Sequence, residues 1–200
     1  MSFSTVSVVG SGPVGCRIAL ACAVEGMPVR LLRASRGDLA AIRTRVTRRL
    51  GIAVERGEIT IAQRTRIESH VEVTHDLARV ADVDLVIDAT PSDPRTRRAL
   101  LATLEARMSG GAVLATASPA ERLVEIAEVL RRPDQLVAIQ FRGEVHDLGI
   151  ELSVLPETAP GVVAAARAFC ALLRHTPLEQ QSQAPRVGYR EWLSQPVAAE

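Results

Sequence analysis

The fold is decided by residues 5–36, which read TVSVVGSGPVGCRIALACAVEGMPVRLLRASR. A short apolar run leads into a glycine-rich turn, a stretch of small and apolar residues from Cys16 to Val24 follows, and a second apolar run comes after it. This order predicts strand, turn, helix and strand, which is the first half of a dinucleotide-binding unit. The GxGxxG spacing alone is weak evidence, but its position between a strand and an apolar helix makes it strong.

Each glycine of the turn has a separate physical role in such a unit. Gly10 allows the chain to leave the first strand in a tight turn, and Gly12 offers a pyrophosphate a backbone without a Cβ. Gly15 allows the helix to pack closely on the strand, and the N-terminus of that helix then faces the phosphates. Pro13 suits the first helical turn, where its missing N–H costs nothing. The predicted phosphate-binding residues are Gly10, Gly12, Pro13, Val14 and Gly15.

The residues at the end of the second predicted strand indicate which dinucleotide is bound. NAD sites usually carry Asp or Glu there, about 20 residues after the glycines, and the carboxylate binds the ribose 2′-hydroxyl. This chain has Arg33, Ser35 and Arg36, and two guanidinium groups with a hydroxyl favour a 2′-phosphate. These residues favour NADP(H), with NAD(H) as the alternative. A structural explanation is also open, because Ser35 followed by Asp38 is a helix-capping pattern and the arginines could form a solvated rim.

The composition is that of one α/β domain with an ample apolar core. The chain has 200 residues, of which 47% are hydrophobic and 2% are aromatic. Its formal net charge of +1 argues against a nucleic-acid binder that depends on bulk charge. All 24 of its Lys and Arg residues are arginines, so chemistry that requires a lysine, such as a Schiff base, is excluded.

The cysteines and the hydropathy pattern indicate the compartment. Cys16, Cys22 and Cys170 form no CxxC motif, and no Cys/His cluster has zinc spacing. We therefore expect buried thiols in a reducing compartment and no metal site. No signal peptide precedes the first strand, and no apolar run reaches the length of a membrane span, so a cytoplasmic protein without a membrane partner is expected.

The residues after Arg36 predict a doubly wound α/β domain with a mostly parallel Rossmann-type sheet. Residues 39–70 predict two helices, a helical hairpin that a minimal Rossmann unit lacks. The arginines of this hairpin either bind the phosphates of a carrier such as CoA or form a solvated face. Residues 84–88 predict a strand, and the residues after it, Ala89, Thr90 and Pro91, should lie beside the glycine turn.

The second half of the chain continues the alternation of strands and helices. Helices are predicted at 93–108, from Ser118 onward and at 161–174, strands at 112–116, 136–140, 150–155 and 176–179, and a polar loop at 141–149. Residues 1–179 are predicted to form the dinucleotide-binding domain. Residues 180–200 carry Gln, Ser and Pro and are interpreted as a C-terminal tail or docking segment.

From Val6 to about Leu193 the chain resembles the NAD-binding half of the 3-hydroxyacyl-CoA dehydrogenases. The matching stretches are 9–15 in the glycine turn, 56–60 in the helical hairpin, 81–89, 113–118 and 136–141. The resemblance implies a sheet that binds the dinucleotide and a hairpin that helps to hold the CoA moiety. It also implies an oxidoreductase of a β-oxo or β-hydroxy acyl group on a thioester.

The residues that carry the chemistry of that family differ here. The family uses a His at the end of the sixth strand as acid/base, and this sequence has Gln140, whose amide cannot exchange a proton at neutral pH. The family's Glu that orients this His corresponds to Glu151, and in the substrate loop only Ser118 keeps a hydroxyl. His146 either replaces the missing acid/base or is a surface residue. The family's helical C-terminal domain is absent from this sequence, and its usual cofactor is NAD.

Three functional hypotheses remain open. The first is an NADP(H)-dependent reductase or dehydrogenase of a small-molecule or carrier-bound acyl substrate, in which Gln140 and Ser118 orient the carbonyl. The second is a non-redox Rossmann protein, such as an isomerase, a cyclase, a dehydratase or a non-catalytic binding subunit. The third is a split enzyme whose helical domain is a separate chain. A homodimer or a partner chain would then be held through Tyr189 and Trp192 of the tail.

Overall fold

The computed structural model of the protein describes residues 2–35, 37–91, 93–119, 122–144 and 147–173. Seven strands in these residues form one sheet: β1 (Val6–Val9), β2 (Val29–Leu32), β3 (Val71–Thr74), β4 (Leu85–Asp88), β5 (Val113–Thr116), β6 (Leu136–Glu144) and β7 (Asp147–Val154). The helices of the same residues are α1 (Pro13–Val24), α2 (Leu39–Glu55), α3 (Ile61–Ser69), α4 (Pro94–Glu105), α5 (Leu123–Ala127) and α6 (Pro160–Leu173). Short 3-10 turns at Leu77–Val80 and Pro133–Gln135 precede β4 and β6.

The sheet has the order β3-β2-β1-β4-β5-β6-β7, and its neighbouring strands are parallel except for β6 with β7. Apolar residues of α1, α2, α3 and α6 pack on one face, and those of α4 and α5 pack on the other. β1, β4 and β5 are buried along their whole length, as parallel strands with both faces covered should be. The doubly wound Rossmann-type α/β fold is confirmed. The strand order reverses between β1 and β4, where open α/β sheets bind ligands.

The turn between β1 and α1 brings backbone atoms closer together than a side chain permits. Gly10 has a φ of +113°, a conformation that glycine adopts without steric cost. A Cβ on Gly15 would lie 1.7 Å from the carbonyl oxygen of Gly10. Only glycine at this position therefore allows α1 to pack against the end of the strand, which is the close packing that the sequence predicts.

The helical hairpin expected from the sequence consists of α2 and α3. Asp38 is the N-cap of α2, and its carboxylate accepts a hydrogen bond from the N–H of Ala40 at 2.7 Å. The interpretation of Ser35 as the helix cap is therefore wrong, because the helix begins only after Asp38. Thr60 and Gln63 form both hydrogen bonds of a capping box at the start of α3.

The polar loop predicted at 141–149 is wrong, because β6 continues to Glu144 and β7 begins at Asp147. Polar residues are compatible with these strands, since one face of an antiparallel pair can be open to solvent. The helix predicted from Ser118 begins only at Leu123 within the described residues. The predicted strand at 176–179, the tail at 180–200 and His146 all lie outside the described residues.

We expect Gly15→Ala to lower the free energy of unfolding by about 1–3 kcal/mol, the usual range for overpacking, because the added Cβ must displace α1 or the turn. Gly51→Ala is the control: a Cβ at this position of α2 meets no atom within 4 Å, and alanine is the better helix former. Urea unfolding followed by circular dichroism measures both variants. A Gly15→Ala protein as stable as the wild type would contradict the close packing of α1.

Candidate functional site

The glycine turn and the N-terminus of α1 form the first part of the candidate site. Gly12 is the N-cap of α1, and a Cβ placed on it would meet no atom within 4 Å. Pro13 is the first residue of the helix, and Val14 is 38% exposed. This open backbone at the positive end of a helix dipole fits the pyrophosphate of a dinucleotide.

The segment after β4 lies directly against this turn. The N–H of Ala89 donates to the carbonyl of Val9 at 2.8 Å, and a Cβ on Gly10 would lie 2.7 Å from the carbonyl atoms of Ala89. The residues after Ala89, Thr90 and Pro91, continue into the cleft described below. The structure therefore places these three residues beside the glycine turn, as the sequence predicts.

A buried ion pair holds this segment in place. Asp88 is 1% exposed. Oδ1 of its carboxylate accepts hydrogen bonds from the backbone N–H and the hydroxyl of Thr90, at 3.0 and 2.7 Å. Nε of Arg97 lies 3.3 Å from Oδ2, but its N–H does not point at that oxygen, so this contact is electrostatic rather than a hydrogen bond. Burial raises the pKa of Asp88, and the bonds from Thr90 and the charge of Arg97 oppose this shift.

Sequence reasoning did not identify the pair of Asp88 and Arg97. The signal available was an acidic residue at the end of an otherwise apolar strand, followed nine residues later by a basic residue near the start of the next helix. A carboxylate on a buried strand needs a counter-charge or hydrogen bonds, because an isolated buried charge is costly. The choice of Arg97 among the neighbouring arginines depends on the packing of α4, which the sequence alone does not reveal.

A cleft of about 400 Å³ opens at the carboxyl ends of β4 and β5. Its lining combines the glycine turn with the segments that follow these two strands, and consists of Val14, Asp88, Ala89, Thr90, Pro91, Arg97, Ala117, Ser118, Pro119 and Arg122. The volume lies within the range of small-molecule sites. The predicted site residues that meet here are Val14, Ala89, Thr90, Pro91 and Ser118.

Gln140 and Glu151 lie directly opposite each other in the register of β6 and β7. Arg142 connects them: its guanidinium donates to Oε1 of Gln140 at 3.1 Å and lies 3.6 Å from Oε2 of Glu151. The carboxylate that the resemblance predicts to orient an acid/base is therefore adjacent to Gln140. Neither residue lines the cleft, and His146 lies outside the described residues.

The end of β2 holds the residues predicted to select the dinucleotide. The side chain of Arg33 lies over Gly37, since a Cβ on Gly37 would be 2.5 Å from Nε of Arg33. This Nε is buried and has no hydrogen-bond partner among the described residues. Ser35 is exposed, and Arg36 lies outside the described residues. His75 stabilises the loop, because its Nε2 lies 2.8 Å from the carbonyl oxygen of Gly37.

The basic face of the helical hairpin reaches the glycine turn through Arg45. Its guanidinium donates to the carbonyl of Ser11 at 2.6 Å, and the thiol of Cys16 lies 3.4 Å from the same oxygen. Burial raises the pKa of Cys16 even though Arg45 opposes the shift. This thiol is therefore protonated at neutral pH and is not an activated nucleophile.

The described residues contain neither a metal-binding cluster nor a membrane-spanning helix. Within the described ranges, no group of three or more His, Cys, Asp and Glu side chains could hold a metal ion. None of the helices described is both long enough and apolar enough to cross a membrane. Cys16, Cys22 and Cys170 are buried, and none of the three forms a disulfide.

We expect Arg97→Met to destabilise the protein by about 3–5 kcal/mol near neutral pH, because the Asp88 carboxylate then remains buried without its counter-charge. Arg97 lowers the pKa of Asp88, so its loss raises that pKa, and the penalty should shrink as the pH falls and Asp88 takes up a proton. Urea unfolding at neutral and mildly acidic pH measures this effect. The double variant Asp88→Asn/Arg97→Met should be more stable than Arg97→Met, and an equal penalty at both pH values would contradict this role of Asp88.

Comparison with known proteins gives a consistent assignment. The chain matches the family described as "3-hydroxyacyl-CoA dehydrogenase, NAD binding domain" over residues 5–183. The fatty acid oxidation complex subunit alpha of Pseudomonas putida is 26% identical over 159 residues, which cover 80% of this chain and 22% of that protein. The subunit of the same name from Idiomarina loihiensis is 27% identical over 175 residues, which cover 87% and 24%. The chain thus spans about a quarter of the length of these relatives.

Solved structures share the fold. FadB2 of M. tuberculosis has a TM-score of 0.82 at 27% sequence identity, and the match covers 86% of this chain and 62% of that one. The 3-hydroxybutyryl-CoA dehydrogenase of Escherichia coli K12 has a TM-score of 0.79 at 26% identity, with coverage of 86% and 37%. The chain therefore belongs to the 3-hydroxyacyl-CoA dehydrogenase family, of which it carries the NAD-binding domain.

Proposed function

We propose that the protein is an oxidoreductase that binds NADP(H) in preference to NAD(H) and interconverts β-oxo and β-hydroxy acyl thioesters. The observation that carries the proposal is the open backbone at Gly12, at the positive end of α1 and beside the cleft. When bound, the dinucleotide supplies or accepts the hydride at the carbonyl carbon. The family of the chain and the acyl-CoA chemistry named in its relatives support the substrate class.

The preference for NADP(H) rests on charge at the end of β2. In the described part of this loop, Arg33 and Ser35 stand where an NAD site has a carboxylate for the ribose 2′-hydroxyl. A carboxylate would repel a 2′-phosphate, whereas a guanidinium binds it with charge-assisted hydrogen bonds. Nε of Arg33 is buried against Gly37, so a 2′-phosphate would be bound by the terminal nitrogens of this guanidinium.

The proposed role of Gln140 is to polarise the substrate carbonyl. Arg142 donates to Oε1 of Gln140, which leaves the amide N–H groups of Gln140 as its means of contacting a substrate oxygen. An amide donor stabilises the negative charge that develops on the oxygen during reduction, and the proton then comes from water. Oxidation requires a base for the hydroxyl proton, which an amide cannot provide. Because oxidation retraces the path of reduction, water would accept that proton in the reverse direction, and Gln140 does not select a direction.

A second candidate function is a non-redox role on the same scaffold. Gln140 in place of the family's acid/base favours it, because the redox reaction loses its proton-transfer group. In that case the cleft would bind an acyl ligand for an isomerisation, a cyclisation or a dehydration, or for binding without turnover. Nicotinamide binding separates the two candidates.

The partner chain and the cellular compartment are also part of the proposal. A homodimer or a partner chain held through residues 180–200 stays a prediction, because that tail lies outside the described residues. Cys16, Cys22 and Cys170 are buried and form no disulfide, which agrees with a reducing compartment. We therefore infer a cytoplasmic protein.

We expect Arg33→Ala to weaken NADPH binding about 10- to 100-fold, the loss typical of a charged hydrogen bond, while NADH binding changes little. The difference arises because only NADPH carries the 2′-phosphate. Titration followed by nicotinamide fluorescence measures both dissociation constants. Arg167→Ala is the control, since Arg167 is exposed on α6 and does not line the cleft.

Equal losses of NADPH and NADH binding in Arg33→Ala would show that Arg33 supports the loop rather than the phosphate. Gly12→Ala provides a second test. The added Cβ meets no protein atom within 4 Å, so the chain should stay folded, but the Cβ occupies space next to the backbone and should weaken the binding of both NADPH and NADH. If the wild type binds neither nucleotide, the redox proposal is wrong and the non-redox candidate replaces it.

We expect Gln140→His to raise kcat for reduction of acetoacetyl-CoA about 10²- to 10⁴-fold, the usual contribution of a positioned acid/base. Glu151 is the register partner of position 140, which supports the proposal that its carboxylate would orient the imidazole. The rate of NADPH oxidation should then acquire a pH dependence near about 6.5, the histidine value. Gln140→Met serves as the control without a hydrogen-bond donor and should fall below the wild type. A Gln140→His variant with wild-type kcat and a flat pH profile would place the reacting carbonyl elsewhere.

A further inference from the structure

We propose that the cleft at the ends of β4 and β5 binds a carboxylate that belongs to the substrate, one methylene away from the reacting carbonyl. The inference rests on the proposed oxidoreductase activity and specifies the chemistry of its substrate. The carboxylate can come from a free β-oxo acid, or from the far end of an acyl group whose near end is the thioester. Both sources present the same group to the same residues.

The charge of the cleft is the first argument. Of the described residues that line it, Asp88 is the acid, and Arg97 and Arg122 are the bases. Asp88 and Arg97 neutralise each other across 3.3 Å. Arg122 has no acidic partner within 4.0 Å among the described residues, although Glu125 lines a neighbouring depression with it. Among the described residues, the cleft therefore has one positive charge without an acidic partner, on the exposed side chain of Arg122.

A buried hydroxyl is the second and independent argument. Ser118 lines the cleft and is 6% exposed, and its Oγ has no hydrogen-bond partner among the described residues. The backbone N–H of Ser118 already donates a hydrogen bond to Oγ1 of Thr116 at 3.1 Å, so this N–H does not need a ligand. A buried hydroxyl without a partner is costly, and a carboxylate oxygen is the strong acceptor that would satisfy it.

The segments that carry Ser118 and Gln140 lie at the same end of two adjacent strands, β5 and β6. Thr116 of β5 pairs with Ala138 of β6, and both Ser118 and Gln140 follow that pair by two residues. Neighbouring strands lie about 4.8 Å apart. One ligand can therefore reach both side chains if its carbonyl and its carboxylate are separated by a single methylene, with hydrogen bonds of about 2.7–3.0 Å at each end.

The bound carboxylate does not change which atoms and electrons are transferred in the proposed reduction. The hydride from the dinucleotide adds to the carbonyl carbon, a proton from water adds to its oxygen, and the dinucleotide is oxidised. The carboxylate takes no part in bond making. Its contact with Arg122 and Ser118 fixes the position of the carbonyl at Gln140, so Arg122 is a specificity-determining residue.

The test compares three β-oxo probes: acetoacetate, the acetoacetyl thioester of N-acetylcysteamine, which has no carboxylate, and the 3-oxoglutaryl thioester of N-acetylcysteamine, which has one. Binding to the NADP⁺-saturated protein is measured by calorimetry and kcat/KM by NADPH oxidation. We expect the carboxylate-bearing probes to be favoured over the acetoacetyl thioester. In Arg122→Ala that preference should fall about 10- to 100-fold, the loss of a charged hydrogen bond, and Arg167→Ala should retain it.

The three probes distinguish the two sources of the carboxylate. The nucleotide measurements distinguish failure of this inference from failure of the proposed function. Preference for acetoacetate assigns the site to a free β-oxo acid, and preference for the 3-oxoglutaryl thioester assigns it to the far end of an acyl group. A loss of NADPH affinity in Arg122→Ala with no change in probe preference would assign the anion to the cofactor and overturn the inference. Nucleotide binding without any carboxylate preference also overturns it and leaves the proposed function intact. If no nucleotide binds, the proposed function fails, and calorimetry of the three probes on the free wild type and Arg122→Ala proteins still decides whether the carboxylate site exists.

Discussion

The close approach of three backbone segments is the constraint on which the structure depends. The end of β1, the first turn of α1 and the segment after β4 meet where a Cβ on Gly15 would lie 1.7 Å from one carbonyl and a Cβ on Gly10 would lie 2.7 Å from another. The central strands can be fully buried only if α1 packs this tightly over them. The same contact sets the distance between the positive end of α1 and the cleft, so the packing of the core and the position of the candidate site have one cause.

The carboxylate at this junction is paired because the junction is buried. Asp88 ends a fully buried strand, and the chain satisfies its carboxylate locally through Thr90 and at longer range through Arg97. Both partners also fix the segment that borders the glycine turn, since Arg97 donates to the Thr90 carbonyl. Because this acid is already neutralised, an anion that enters the cleft meets the charge of Arg122 without opposition from Asp88.

Local patterns predicted most of the first half of the chain. The strand, turn and helix and the two-helix hairpin each depend on residues close in sequence. The hairpin of β6 and β7 was missed, because alternating polar residues on a half-exposed antiparallel pair look like a loop. The resemblance identified Gln140 and Glu151 separately, but their direct opposition and the bridge through Arg142 depend on strand register. The roles of Arg97 and Arg122 depend on how α4 and the segment before α5 pack, which no local pattern encodes.

The glycines of the turn differ in what they imply about function. Gly10 and Gly15 are required by packing alone, so their presence would be expected even in a protein that had lost its cofactor. Gly12 is different: its backbone is extended with a φ of −72°, which any residue can adopt, and a Cβ would meet no protein atom there. Packing therefore does not require glycine at this position, although glycine suits an N-cap. A ligand that approaches the backbone closely, as a pyrophosphate at a helix N-terminus does, would require it. The open backbone at Gly12 thus leaves room for the proposed nucleotide at the N-terminus of α1, and this room does not depend on the side chain at position 140.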